Sequence, residues 1–382
     1  MWVRCKGDEL FKSSQIVDTH RPEQRFYLEG VDGSLVLETT FDEMTVKARI
    51  PAEVRKEGRI TLFTPLETFK TISEEIGQAE VVLRFDEGGD VLSISAPDKT
   101  FSLFGRSVDR RSSKGGAEPK GVRKAVLESG ELLDGLKKTL FAVGRDLASL
   151  KSRFFAGLLL ELEDDGYTLV GCDGVRMAIV QVGKSNLLKE RCEFKAEHAI
   201  PFTYCEKLVE VLELLPPQRV HIAQSEREVI FDLGDVRLRC GLIPEGYPDY
   251  REAIPKGDEN LTVIKVNRGR LISALRCAEQ LAPQRTKAVR LEISDETLRI
   301  RTASEEMGRA DCRVPIEREG DDISVVVDGG MLLENLSHTE ADEISIELRG
   351  PLSPILLRLE PNYSVIFMPR TPLRSPDEGE DI

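Results

Sequence analysis

The chain has 382 residues, 40% of them hydrophobic and 31% charged, and a formal net charge of −14. That is the composition of a soluble globular protein with room for two or three domains, and its acidity excludes a wholly basic nucleic-acid coat while leaving room for a local basic surface. No apolar run approaches the ~20 residues of a membrane span, MWVRCKGDEL lacks a signal-peptide core, and seven scattered cysteines without a C-x-x-C pair point to a reducing cytoplasm, not to zinc or disulfides.

VRCKGDELFKSSQIV predicts a short strand and then a helix with Leu10, Phe11 and Ile16 inward. Three strands follow in FYLEGVDGSLVLETTFDEMTVKARI, the first turn carried by Asp32-Gly33. RITLF leads into a second helix. Thr64-Pro65-x-Glu67 reads there as a capping box with proline at the first helical position. Alternation in AEVVLRF, DVLSISA and KTFSLFG gives a three-stranded meander. RRSSKGGAEPKG (110–121) has nothing to bury and reads as a linker.

The plan then repeats. Leu132, Leu136, Leu140 and Val143 share a helix face, and FFAGLLLELEDDGYTLVGCDGVRMAIVQV is a hairpin or meander. Leu208, Val211, Leu212 and Leu215 oppose Glu206, Glu210 and Glu213 on the next helix, which Pro216-Pro217 stops. Strands are expected at 219–223, 227–232 and 235–241. In the third copy Leu271, Leu275, Ala278 and Ala282 face inward, VRLEISDETLRIRTA is a hairpin, and DISVVV leads into a helix in DGGMLLENLSHTE. The meander DEISIEL, SPILLRL, YSVIFM closes it. From Thr371 on, acidic residues and prolines read as a disordered tail. A repeat of ~130 residues predicts an α+β protein of three like domains, 1–115, 122–253 and 256–370, with a tail at 371–382.

Catalytic signals are absent. GGAEPKG lacks Walker spacing, no G-x-S-x-G elbow occurs, and His20, His198, His221 and His338 have no metal spacing. Cys172-Asp173-Gly174 could mimic a catalytic pair but reads as a tight turn. No catalytic residue, metal or cofactor is expected.

Local motifs carry a family resemblance. CDGVRMA (172–178) resembles T-D-G-H-R-L-A, YPDYREAIP (247–255) resembles F-P-D-Y-R-x-x-x-P, YSVIFMPR (363–370) resembles a Y-V-V-M-P-M-R close, and HRP (20–22) resembles an early G-R-P. These belong to bacterial DNA sliding clamps, the β subunit of DNA polymerase III. The match spans 1–370 and is densest in the last two repeats. It implies a non-catalytic, cytoplasmic homodimer closed head to tail, with helices lining a ring of six domains and sheets outside. Duplex DNA would thread it independently of sequence. Its partners would be the replicative polymerase, the clamp loader and other proteins with clamp-binding linear motifs, with no membrane involved. Topological linkage gives persistence without tight contact, and Lys/Arg–phosphate contacts supply sequence-blind attraction.

The resemblance also implies sites. On the first helix of the second repeat and beyond it lie Lys137, Lys138, Arg145, Lys151 and Arg153, with Arg268 and Arg276 on the matching helix of the third. Read alone these are a solvated helix face; the family assigns such a face to DNA and adds Arg21, Arg153 and Phe154. A partner-peptide groove would comprise Phe155, Cys172, Gly174, Val175, Arg176, Met177, Pro248, Glu252, Ala253, Met331, Ile366, Phe367, Met368, Pro369 and Arg370. Met, Phe and Pro make an adaptable apolar surface, with the arginine as its polar handle. Three departures bear on it: Glu252 replaces a basic residue, Val175 replaces a histidine, and an acidic tail (Asp377, Glu378, Glu380, Asp381), able to screen the groove, extends past the family's end. The subunit contact would pair the edge strand bearing Phe101, Leu103 and Phe104 with a region beside Gln280 and Leu281, since an apolar edge needs a partner. Two competing readings are a hydrolase with a cleft between repeats, for which no paired carboxylate motif exists, and a clamp-derived interaction scaffold that does not encircle DNA.

Overall fold

Helical spacing and period-two alternation become six successive strand–helix–three-strand modules in the computed structural model, which describes residues 1–86, 90–108, 122–145, 152–163, 166–183, 198–257 and 259–371. The first is β1 (Trp2–Lys6), α1 (Gly7–Val17), β2 (Arg25–Val31), β3 (Ser34–Phe41) and β4 (Met44–Pro51), with an added strand β5 (Glu53–Lys56). The second is β6 (Gly58–Leu62), α2 (Leu66–Ile76), β7 (Glu80–Phe85), β8 (Val91–Ser95) and β9 (Thr100–Ser107). The third is β10 (Arg123–Glu128), α3 (Ser129–Leu140), β11 (Gly157–Leu162), β12 (Gly166–Cys172) and β13 (Arg176–Gly183). The fourth is β14 (Ala199–Pro201), α4 (Phe202–Leu214), β15 (Arg219–Gln224), β16 (Glu228–Asp232) and β17 (Val236–Gly241). The fifth is β18 (Thr262–Asn267), α5 (Arg268–Gln280), β19 (Ala288–Ser294), β20 (Thr297–Ser304) and β21 (Gly308–Glu319). The sixth is β22 (Ile323–Asp328), α6 (Gly329–Ser337), β23 (Glu343–Leu348), β24 (Ile355–Glu360) and β25 (Tyr363–Phe367). The expected linker at 110–121, Lys151 and the acidic tail from 372 lie outside the described residues.

Contacts gather the chain into two units, Met1–Leu133 with Lys184–Pro244 and Asp134–Gly183 with Glu245–Ile382. In the first unit the strand order is β10-β15-β16-β17-β4-β3-β2-β6-β9-β8-β7-β1-β5. In the second it runs β11-β12-β13-β25-β24-β23-β18-β21-β20-β19-β22. Each unit contains one joint between the last strands of two modules, and both joints are antiparallel. β17 pairs with β4 from Val236↔Ala48 to Cys240↔Met44, and β13 pairs with β25 from Arg176↔Phe367 to Val180↔Tyr363. The inward-facing residues of helices and strands meet in the cores, as where Phe26 and Phe69 touch edge to face at 5.0 Å.

Several local expectations need correction. Leu10 and Ile16 are buried, but Phe11 is only half-buried and Ser13 and Ser14 face in, Ser14 Oγ donating to the Phe11 carbonyl at 2.6 Å. No capping box forms at α2, because Pro65 occupies the cap position and has no side-chain oxygen; its carbonyl takes the Thr68 and Phe69 amides at 3.1 and 3.3 Å. The 288–304 hairpin is a meander completed by the twelve-residue β21. The TFSLFG strand is not a free edge along its whole length. Val91↔Phe104 to Ser95↔Thr100 bind it to β8 on one side, while Leu62↔Gly105 to Ile60↔Ser107 bind its end to β6 on the other.

Candidate partner groove and nucleic-acid face

β12 ends at Cys172 and β13 begins at Arg176, so three residues must reverse the chain. Asp173 does this: its Oδ1 accepts the Val175 and Arg176 amides, both at 2.9 Å, and Gly174 takes φ +90°, where an L side chain is strained. Burial pushes the Cys172 thiol up to about 11, so it is protonated at neutral pH and not a nucleophile. Phe155 packs against the turn; a Cβ at Gly174 would meet its ring at 3.4 Å. Phe154 stands 4.3 Å from Phe155 and 5.5 Å from Tyr247, centroid to centroid.

Arg176 braces the same turn. Its Nε donates to Asp173 at 3.1 Å, Nη1 to Glu334 at 2.6 Å and Nη2 to the Phe141 carbonyl at 2.9 Å, and the guanidinium lies 5.0 Å from the Phe141 ring. With 12% of its side chain exposed, this expected polar handle is engaged inside the protein. Phe141 stacks on His338 at 4.0 Å and 8°, and burial pushes that imidazole's pKa down, which favours its neutral form.

Because β13 pairs with β25, Met177 stands opposite Ile366 and the Met368 amide donates to the Val175 carbonyl at 3.0 Å. The result is a groove of about 440 Å³. It brings together Cys172, Gly174, Val175, Arg176, Met177, Glu252, Ala253, Ile366, Phe367 and Met368 from the sequence-predicted set. Ile254, Pro255, Lys256 and Pro354 also line it and were missed. Ile254 and Pro255 lie inside the YPDYREAIP motif, which was the available signal; Pro354 had none. Phe155 lies behind the turn, and Pro248, Met331, Pro369 and Arg370 are off the lining. Met331 offers its amide to the Asp328 side chain at 3.0 Å, and Arg370 pairs with the same carboxylate. Below the groove, Leu159, Val170, Met177, Ile179, Tyr250, Leu356 and Ile366 form one buried cluster. Met177 and Ile366 are therefore both core and floor, whereas Val175 and Met368 are 48% and 43% exposed. A larger hollow of about 1190 Å³ in the first unit contains the Arg239–Glu228 and Arg59–Glu38 ion pairs, which neutralise one another.

The expected DNA-facing cations differ in how far they are exposed. Lys138 Nζ meets Asp134 at 2.7 Å and Glu360 at 2.8 Å. Arg268 donates to the Ala341 and Leu336 carbonyls at 2.8 and 3.2 Å, closing the end of α6. Lys137, Arg145, Arg153 and Arg276 are exposed, as is Arg21, whose guanidinium lies 5.7 Å from the Phe41 ring.

Comparison with known proteins points to one family. A family model described as the DNA polymerase III beta subunit, C-terminal domain, matches residues 251–369. The beta sliding clamp of Synechococcus elongatus is 25% identical over 338 residues, covering 87% of this chain and 84% of that protein. The beta sliding clamp of Treponema pallidum is 22% identical over 384 residues, covering 97% and 99%. Residues 251–369 match that family, and nearly the whole chain is similar to beta sliding clamps. Its fold is the α+β sliding-clamp fold. The β subunit of Thermotoga maritima superposes with a TM-score of 0.83 at 21% identity, covering 97% of this chain and 99% of that one. The Bartonella birtlesii sliding clamp bound to griselimycin gives 0.82 at 22% identity, covering 97% and 100%. Sliding clamps are non-catalytic subunits, and among the described residues no His/Cys/Asp/Glu group could hold a metal ion. No helix among the described residues is long and apolar enough to cross a membrane.

The residues this family resemblance assigned to the subunit contact lie on two elements. On β9, Leu103 is buried, Phe101 half-buried and Phe104 68% exposed beside the exposed Phe63, whose amide donates to the Phe104 carbonyl at 3.0 Å. Gln280 ends α5 and Leu281 caps it, its amide donating to the Ala278 carbonyl at 3.0 Å.

Proposed function

We propose that two copies of this chain close head to tail into a ring of three domains each around duplex DNA, and tether the replicative polymerase and other motif-bearing proteins through the β13–β25 groove. The observation that carries this is the pattern of sheet joints. Last strands of modules pair as β17 with β4 and β13 with β25. By the same rule β9 and β21 are the remaining pair. Both have an open outer edge among the described residues, at 100–103 on β9 and 308–315 on β21. A β9–β21 contact between two copies uses different surfaces on each and closes after two. The ring needs no sequence-specific grip. Exposed Lys137, Arg145, Arg153, Arg276 and Arg21 supply phosphate attraction despite the acidic total, with the half-buried Lys138 and Arg268 contributing less.

Loading onto a nicked circular plasmid tests this. Protein retained at a salt concentration that disrupts simple ion pairing should be released when the plasmid is linearised. Equal release from both forms would instead identify a clamp-derived scaffold that does not encircle DNA. Charge reversal at Lys137 and Arg276 together should flatten the salt dependence of binding by a slope of roughly two.

A further inference from the structure

Glu252, Ala253, Ile254, Pro255 and Lys256 follow one another along one wall of the groove. The middle of that wall is apolar, and its two ends carry opposite charges. Both end residues are exposed, and neither has an ion-pair partner among the described residues. The other ionic side chains at or beside the groove are spoken for: Arg176 by Asp173 and Glu334, Arg251 by Glu161 and Glu163, Arg370 by Asp328. The two uncommitted charges are thus four residues apart, at most about 14 Å along an extended chain.

We propose that Glu252 and Lys256 select the charge order of the peptide that lies in the groove. The occupant is an extended segment with an apolar middle, a basic side chain at the Glu252 end and an acidic one at the Lys256 end. This rests on the groove being the partner site proposed above. Apolar contact with Met177, Ile254, Ile366 and Met368 supplies affinity but does not distinguish a segment from its charge-exchanged isomer. The two end charges do, because exchange sets like charges against each other at both ends. Each matched, exposed pair favours the correct isomer by roughly two- to fivefold, and salt weakens that preference.

Two isomeric peptides with one shared apolar core test this, one carrying lysine before and glutamate after the core, the other with these exchanged, beside an uncharged parent. Binding to the full chain is read by fluorescence anisotropy at low and high salt. The native protein should separate the isomers by roughly tenfold at low salt, converging at high salt. The double variant Glu252→Lys/Lys256→Glu should prefer the other isomer, with an unchanged thermal midpoint showing that the fold is intact. Equal binding of both isomers by the native protein, or the same preference in native and reversed proteins, overturns the proposal while leaving the partner groove standing. Failure of the uncharged parent to bind removes the partner groove itself, and this inference with it.

Discussion

Arg176 donates to acceptors in three places: an aspartate in its own turn, Glu334 and Asn335 on α6, and the carbonyl that follows α3. A lysine cannot reproduce that planar fork. Arg176→Lys should therefore cost about 1–3 kcal/mol in urea denaturation, since at least one half-buried acceptor loses its charge-assisted bond. It should also weaken peptide binding through displacement of Val175, because most Arg176 donors hold the turn in place. Unchanged stability would show that these contacts are not formed together in solution. The arginine was legible in the sequence as part of CDGVRMA, but its bracing role was not. Its partners Glu334 and Phe141 lie 158 and 35 positions away, and no local pattern records pairings at that distance. Glycine and aspartate in the same motif were readable because a turn is local chemistry.

At the scale of elements, α1 and α2 are locked by one ion pair at the end of α1. Burial opposes the charge on Asp18, but Lys70 at 2.9 Å, the His20 amide and Gln24 outweigh it and hold its carboxyl below the usual range. A carboxylate whose folded pKa is depressed stabilises the fold above its unfolded pKa of about 3.9, and that contribution disappears as pH falls through the folded value. Lys70→Met should lower stability at neutral pH and flatten the loss of stability below about pH 4. Chemical denaturation across pH 2–7 reads both effects, and a parallel offset at every pH would refute the link. The helices themselves were visible from apolar spacing, as were most strands from alternation. The strands missed were those whose alternation is weakly apolar. In β21 only Val314 and Ile316 are buried, the positions before them being alanine and cysteine among charged residues, and β5 is the largely charged EVRK. Edge strands of this kind carry charge because an apolar edge would aggregate, so the property that protects them also hides them.

At the scale of the whole molecule, six modules leave an odd account. Two of three possible last-strand pairings are satisfied within the chain, by β17–β4 and β13–β25. The period of the sequence announced the repeat, but a threefold count alone could not say which strand ends stay open, since that depends on register. β9 keeps its apolar face while showing Phe104 at 68% exposure on a strand already fixed by β8 and β6. Burying such a ring contributes about 1.5–2 kcal/mol, and a closed dimer would bury it twice, whereas a chain in isolation gains nothing from it. Aspartate at that position would have to be desolvated unpaired. Phe104→Asp should therefore shift sedimentation from dimer to monomer across a dilution series. Its circular dichroism and thermal unfolding should remain those of an intact fold, because the side chain it replaces is exposed within the chain. A dimer that survives this substitution at low concentration would mean that β9 is not the closing edge, and the β9–β21 pairing would have to be abandoned.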